Sequence, residues 1–339
     1  MSIIRSDIVI YGSANMQETD SGAQGGAIDL TKRVVFDDLS TTDTVQIVSS
    51  DATDATPDAV TVYGRDAGGS VVSETELING VTPVTTTQSF ERLMKCTISA
   101  GAPAGDVAVE KSTATRDDTA QTGADATASE AAYITLDAGA SGSDDTYNGM
   151  VLRINGGTGA NQIRRIVDYT GSTKIAYVDR DWDTTPDVTS EFVVSEGMVF
   201  ANGETEIRRP FYDVSADVLG GSARTFYEKV FVKNTNAVNS LLAMTVSEEA
   251  DPSTFVTFAL EDAVDDTGTS TDRTTAPAGA EIGGTGFDSA TKTLATETDA
   301  STADLAAASA IGVWLLLSLA AGEAAAKSTY TIGSNGSTT

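Results

Sequence analysis

The chain contains no histidine and a single cysteine, Cys96. Without histidine there is no Ser-His-Asp triad, no Cys-His pair and no His-ligated zinc or iron site. One thiol cannot close an intramolecular disulfide, so cysteine usage does not identify a compartment. Cys96 lies in the alternating run 93–98 and reads as a small buried hydrophobe rather than a reactive thiol. Aromatic residues are scarce at 6%, with only two tryptophans, Trp182 and Trp314. A sugar-cleaving cleft usually stacks its substrate on aromatics, so paired carboxylates acting as a glycosidase form the less favoured reading. Basic residues are also few: 21 Lys and Arg face 49 Asp and Glu, a formal charge of -28. Such a surface repels polyanions, which argues against nucleic acid or anionic lipid as partners.

Asp outnumbers Glu by about two to one, and Arg exceeds Lys. That bias suits either a high-salt, marine or hypersaline setting or simple colloidal solubility in a crowded assembly. The N-terminus lacks the basic and apolar regions of a secretory signal, which leads us to expect a product that stays in the cytoplasm where it is made. One uncharged stretch, 305–322, barely reaches spanning length and is half Ala, Ser and Gly. It reads as a buried strand, Val313 to Leu319, next to an Ala-rich loop rather than as a membrane segment.

At 339 residues the chain has room for two or three domains. Short alternating runs separated by Gly, Asn and Asp turns predict an all-β protein of tandem small domains. Residues 1–110 carry about seven strand-like runs, the number expected of an antiparallel β-sandwich, read as a docking domain. Residues 111–130 contain no aliphatic side chain larger than Ala and read as a linker. Five short strands in 131–197 suggest a small β-barrel-like unit. Residues 198–339 read as a C-terminal β-sandwich interrupted by a long surface loop or inter-subunit arm at 264–302, with a fraying tail after Ile332. The Gly-rich turn 155–159 joins strand to strand and lacks the following helix that a phosphate cradle requires.

The sharpest acidic cluster is Asp179-Arg-Asp-Trp-Asp-Thr-Thr-Pro-Asp187. Its carboxylates Asp179, Asp181, Asp183 and Asp187 stand at alternate positions of a candidate Ca²⁺ loop. The EF-hand pattern fails at Thr184 and Ser190, and a solvated hairpin turn is the competing reading. Asp144-Asp145 and Asp265-Asp266 are lesser pairs. Trp314 falls in the most apolar strand and reads as core, whereas Trp182 is either a half-exposed interface anchor or packing over a barrel end.

Three stretches resemble the multidomain structural proteins of tailed bacteriophages and related archaeal tailed viruses. They are Gly64-Arg-Asp-Ala-Gly-Gly-Ser-Val-Val-Ser-Glu74 with 77–84 and 89–92; Ile154-Asn-Gly-Gly-Thr-Gly-Ala-Asn-Gln-Ile-Arg-Arg-Ile-Val-Asp-Tyr-Thr-Gly171 with Trp182 and Pro186; and Tyr227-Glu-Lys-Val-Phe-Val-Lys-Asn234 with Val313-Trp-Leu315. The resemblance implies a non-enzymatic virion protein on the outer surface of the particle: a capsid decoration, turret or head fibre, or alternatively a neck or tail-tip adhesin. It implies other virion proteins as partners, the major capsid protein or neck and tail proteins, and a homo-oligomer, trimer or pentamer. It specifies no ligand and no catalytic residue.

Overall fold

A computed structural model describes residues 2–34, 36–55, 57–99, 103–120, 122–127, 129–201, 203–211, 221–323 and 328–338. The protein is nearly all β, with 47% of it in strands and 3% in helix. No helix among the described residues is long and apolar enough to cross a membrane. The chain forms two compact units. A split unit comprises Met1–Ile3, Asp7–Val34 and Pro210–Thr339, and an inserted unit comprises Ile4–Ser6 and Val35–Arg209.

Strands are numbered along the chain. In the split unit, β1 (Ile8–Asn15), β2 (Gln24–Arg33), β18 (Arg224–Asn234), β20 (Val256–Val264) and β23 (Ala310–Leu319) build an antiparallel sheet in the order β20-β23-β18-β1-β2, with β21 (Thr269–Ser270) added to β2. A smaller sheet has the order β22 (Lys292–Thr293), β19 (Leu242–Ala250), β24 (Thr331–Ser337). The two sheets close on one apolar core that includes Val230, Val232, Met244, Val246, Phe258, Leu260, Ile311 and Val313. A one-turn helix, α1 (Leu294–Glu297), adds Leu294 to that core and is capped by the Thr293 side chain.

The inserted unit contains a sandwich and a curled sheet. One layer of the sandwich is β16 (Gly197–Phe200), β8 (Val107–Lys111), β3 (Val45–Ser49) and β6 (Val84–Thr85). The facing layer is β17 (Glu206–Arg208), β7 (Arg92–Ser99), β4 (Ala59–Arg65) and β5 (Val71–Leu77). Between them lie Val45, Ile47, Val60, Val62, Phe90, Leu93, Cys96, Val107, Val109, Phe200 and Ile207. The second sheet runs β10 (Thr122–Ala124), β11 (Tyr133–Thr135), β14 (Ile175–Val178), β13 (Ile163–Thr170), β12 (Val151–Gly156), β15 (Glu191–Ser195), β9 (Arg116–Thr119). Its five inner strands feed one core around Ile134, Leu152, Ile166, Tyr169, Trp182 and Phe192, which requires the sheet to curl. The corner is β13. Its first residues pair with β12, a bulge intervenes between Ile166 and Asp168, and the remainder pairs with β14. The end strands β10 and β9 pair with β11 and β15 and not with each other, so the barrel-like unit is an open, curled sheet rather than a closed barrel.

The domain boundaries expected from sequence are corrected in four places. The first two strands belong to the split unit, because β1 pairs with β18 from Ile8↔Asn234 to Gly12↔Val230. The sandwich of the inserted unit is instead completed by β16 and β17. Residues 111–130 are not a linker, since β9 and β10 lie within them and only residues 112–115 separate β8 from β9. The stretch 264–302 carries β21, β22 and α1, and buries Arg273 and Lys292. The tail does not fray at Ile332, because β24 pairs with β19 as far as Leu242↔Ser337. These segments share a physical cause: their pairing partners supply the hydrogen bonds, so strands of Thr, Asp, Gly and Ser form without an apolar signal of their own.

Candidate functional site

β23 and β18 are inner strands of the split unit's sheet and are covered on both faces, so alternate residues meet different surroundings. One face carries Val230, Val232, Ile311 and Val313 into the apolar core. The other carries Lys229 and Phe231 on β18 with Trp314 and Gly312 on β23, where Lys229 stands opposite Trp314 and Phe231 opposite Gly312. On β20 a register shift after Leu260 coincides with Glu261, a carboxylate brought to this same buried surface. Gly312 makes room for it: a Cβ at that position would lie 2.0 Å from Glu261 Oε2. Gly25 of β2, at φ +88°, allows the Trp314 ring and the Gly268 carbonyl to approach together.

Lys229 and Glu261 are each 0% exposed and in direct ionic contact. The Lys229 Nζ also donates to the carbonyl oxygens of Gly268 (3.2 Å) and Asp266 (3.4 Å), and lies over the rings of Phe231 (4.7 Å) and Trp314 (5.8 Å). Apart from Lys229, no donor among the described residues reaches either oxygen of Glu261. Asp266 and Glu281 complete the cluster, one carboxylate oxygen from each of the three acids lying within 4.8 Å of the others. Burial, reinforced by the charges of Asp266 and Glu281 and opposed by Lys229, pushes the Glu261 carboxyl up to about 8. Glu281 is raised as well, by burial and then by the neighbouring Asp266. Burial disfavours the charged form of the Glu261 carboxyl, so the site sets a lysine against an acid held toward its protonated form in a dry place. Among the described residues these acids are grouped closely enough to resemble a metal shell, yet the Lys229 ammonium already supplies the compensating charge.

The residues singled out as a Ca²⁺ loop are not brought together. Asp179 accepts the Arg165 backbone N–H (3.0 Å) and an Arg180 guanidinium N–H (2.8 Å). Asp181 accepts the Ala126 N–H (2.8 Å), and Asp183, with its side chain 85% exposed, meets Arg164 (3.1 Å). Asp187 accepts from the Thr189 backbone and hydroxyl (2.8 and 2.6 Å). Each carboxylate holds a different turn or strand end, so no shared shell forms and the loop gives no support to a bound Ca²⁺. Of the lesser pairs, Asp144 accepts the Gly171 N–H and Asp265 the Ala310 N–H. Only Asp266 enters the buried cluster. Trp182 is 5% exposed and its indole N–H donates to the Tyr133 carbonyl (3.0 Å), which makes it packing at the end of the curled sheet. Cys96 and Trp314 are wholly buried, and burial pushes the Cys96 thiol well up, out of the reactive range.

Sequence reasoning missed Lys229 and Glu261 because each looks like an ordinary surface charge beside apolar neighbours. A signal was present in Phe226 to Val232, where the Glu228-Lys229 pair stands between apolar residues in a strand with no exposed face to receive either charge. Comparison with protein families, with curated proteins and with solved structures finds no match to this chain.

Proposed function

We propose that the protein is a non-enzymatic structural component of a tailed virus particle, an accessory decoration, turret or head-fibre protein on the outside of the virion. It would act as a homo-oligomer, trimer or pentamer, bound to the major capsid protein or to neck or tail proteins. The observation that carries this reading is the place in the fold of the three stretches that resemble such proteins. The first spans the β4–β5 hairpin and the second the β12–β13 hairpin. The third is the central pair β18–β23, in register at Lys229↔Trp314 and Val230↔Val313. All three are framework, so the likeness concerns architecture in both units.

The use of charge supports the same reading. Buried and half-buried ionic side chains are matched with one another: Arg153 grips Glu110 through Nε (3.0 Å) and Nη2 (2.7 Å), Lys111 meets Glu196 (3.1 Å), and Arg209 meets Asp38 (3.2 Å). Arg153 and Glu110 also join the curled sheet to the sandwich, beside the apolar contact of Val48, Ala108, Val151, Ile163 and Val199. Groups committed in this way hold structure in place. The remaining acidic surface disfavours polyanionic partners and leaves proteins as the natural ones. The alternative role as a neck or tail-tip adhesin would be favoured by an exposed Trp182 or by an unanchored surface loop at 264–302. Trp182 is buried and that stretch is anchored by strand pairing, so neither observation favours it.

The test is the number of copies relative to the major capsid protein in purified particles, by quantitative mass spectrometry. Tens to hundreds of copies per particle is the expected result. A handful, in multiples of three or six, would move the protein to the neck or tail tip, and absence from particles would overturn the proposal.

A further inference from the structure

The geometry points to an intramolecular isopeptide bond between Lys229 Nζ and the side-chain carboxyl carbon of Glu261, closed by the chain itself after folding. The inference does not depend on the virion reading. It rests on three features of the site. The two side chains are in contact and fully buried. Glu261 has no other donor among the described residues to hold it as a carboxylate. The amine lies between Phe231, Trp314 and the carbonyls of Gly268 and Asp266, which fix its position over the carboxyl group and keep solvent out. Held reactants of this kind gain a large effective concentration, which is the main obstacle to amide formation in water.

The reaction balances without an added reagent. Within the dry pair a proton passes from the ammonium to the carboxylate, giving a neutral amine and a carboxylic acid. The Nζ lone pair adds to the Glu261 carboxyl carbon, and the tetrahedral centre loses one C–O bond. The departing hydroxyl takes a proton and leaves as water, while Nζ gives up a proton of its own. Asp266 and Glu281 are placed to carry these protons, since a carboxylate oxygen of each lies within 4.8 Å of one on Glu261. The sum is one amine and one carboxyl converted to one amide and one water. The product would staple β18 to β20 across β23, the strand between them.

The same chain contains an internal control. Lys111 and Glu196 in the inserted unit form a second Lys–Glu pair, but Glu196 accepts the Ser40 N–H (2.9 Å) as well as Lys111. That carboxylate is kept ionised and is a poor acyl donor, so this pair stays open.

The experiment is mass spectrometry of the full-length protein, purified folded and then denatured. The expected intact mass is lower than the sequence mass by one water, not two. Digestion should yield a branched peptide joining Lys229 to Glu261, with Lys111 and Glu196 recovered unlinked. Lys229→Met should have the full mass of its own sequence, and Glu281→Gln should show a severalfold lower linked fraction in freshly made protein. Recovery of Lys229 and Glu261 in separate, unmodified peptides from folded wild-type protein would overturn the inference, as would a water loss mapped to any other pair. Because the decisive reading is made on the wild-type chain, it does not depend on any variant folding.

Discussion

The two Lys–Glu pairs have the same chemistry and opposite electrostatics. At Lys111–Glu196, burial works to raise the carboxyl, but hydrogen bonds from Ser40 and the Lys111 ammonium outweigh it and hold the group below the usual carboxylate range. At Lys229–Glu261, burial dominates and the lysine alone does not compensate. The difference lies in the surroundings. Glu196 has a backbone donor and retains slight exposure, while Glu261 is fully buried beside two further acids and the notch left by Gly312. A lysine beside a glutamate is therefore an ion pair only where other donors help to hold the negative charge.

The largest expected effect that sharpens this contrast comes from removing one member of the deeper pair. Glu261→Leu leaves the Lys229 ammonium buried against carbonyls, and should be less stable to denaturant than the Lys229→Met/Glu261→Leu double variant by about 3 kcal/mol. Equal midpoints for the two would mean that the site tolerates a lone charge and that the pairs are alike after all. Next in size, Glu196→Gln should lose about 2 kcal/mol at neutral pH, since charge-assisted hydrogen bonds are replaced by neutral ones. Its folded carboxyl is depressed, so this stability is present above the ordinary carboxylate range and lost as pH falls through the folded value. Wild type and variant should thus converge in acid unfolding curves.

The smallest effect, counted per pH unit, is a slope of opposite sign. In Lys229→Met, where no amide can form, Glu261 remains protonated in the folded protein and is ionised in the unfolded chain above the ordinary carboxylate value. Stability is then fully present in acid and is lost as pH rises above the ordinary carboxylate range, at up to roughly 1.4 kcal/mol per pH unit, because burial and the charges of Asp266 and Glu281 hold the folded carboxyl up and the lowering charge of Lys229 is gone. A denaturation midpoint that does not fall between pH 6 and pH 8 would break the comparison.

Much of the framework is legible in the sequence. An alternating run such as 93–98 marks a real strand, and Trp314 and Cys96 read correctly as core. What local pattern cannot show is which distant strand pairs with which: nothing in Ile8 to Tyr11 announces Phe231 to Asn234 as its neighbour. Edge strands such as Arg116–Thr119 escape for another reason, as their side chains are largely exposed and only the backbone is engaged. The candidate site was unreadable because it depends on both faults together. Lys229 is hidden by burial on both faces of an inner strand, and Asp266 and Glu281 arrive from a stretch whose composition reads as loop. The acidic cluster at 179–187, by contrast, was conspicuous in sequence and is dispersed in space.

The division of one unit by another also dictates an order of events at the ribosome. β1 and β2 are synthesised early, yet β18, the next strand of their sheet, begins only at Arg224. At the roughly 5–20 residues per second of translation, these first strands wait on the order of 10–40 seconds with an edge unmatched. In that interval the inserted unit, whose strands are contiguous in the chain, has time to fold. A nascent chain stalled before residue 224 should therefore protect the segment 35–209 from protease while β1 and β2 remain cleavable, and the long-range closure of the split unit becomes the slow step of maturation.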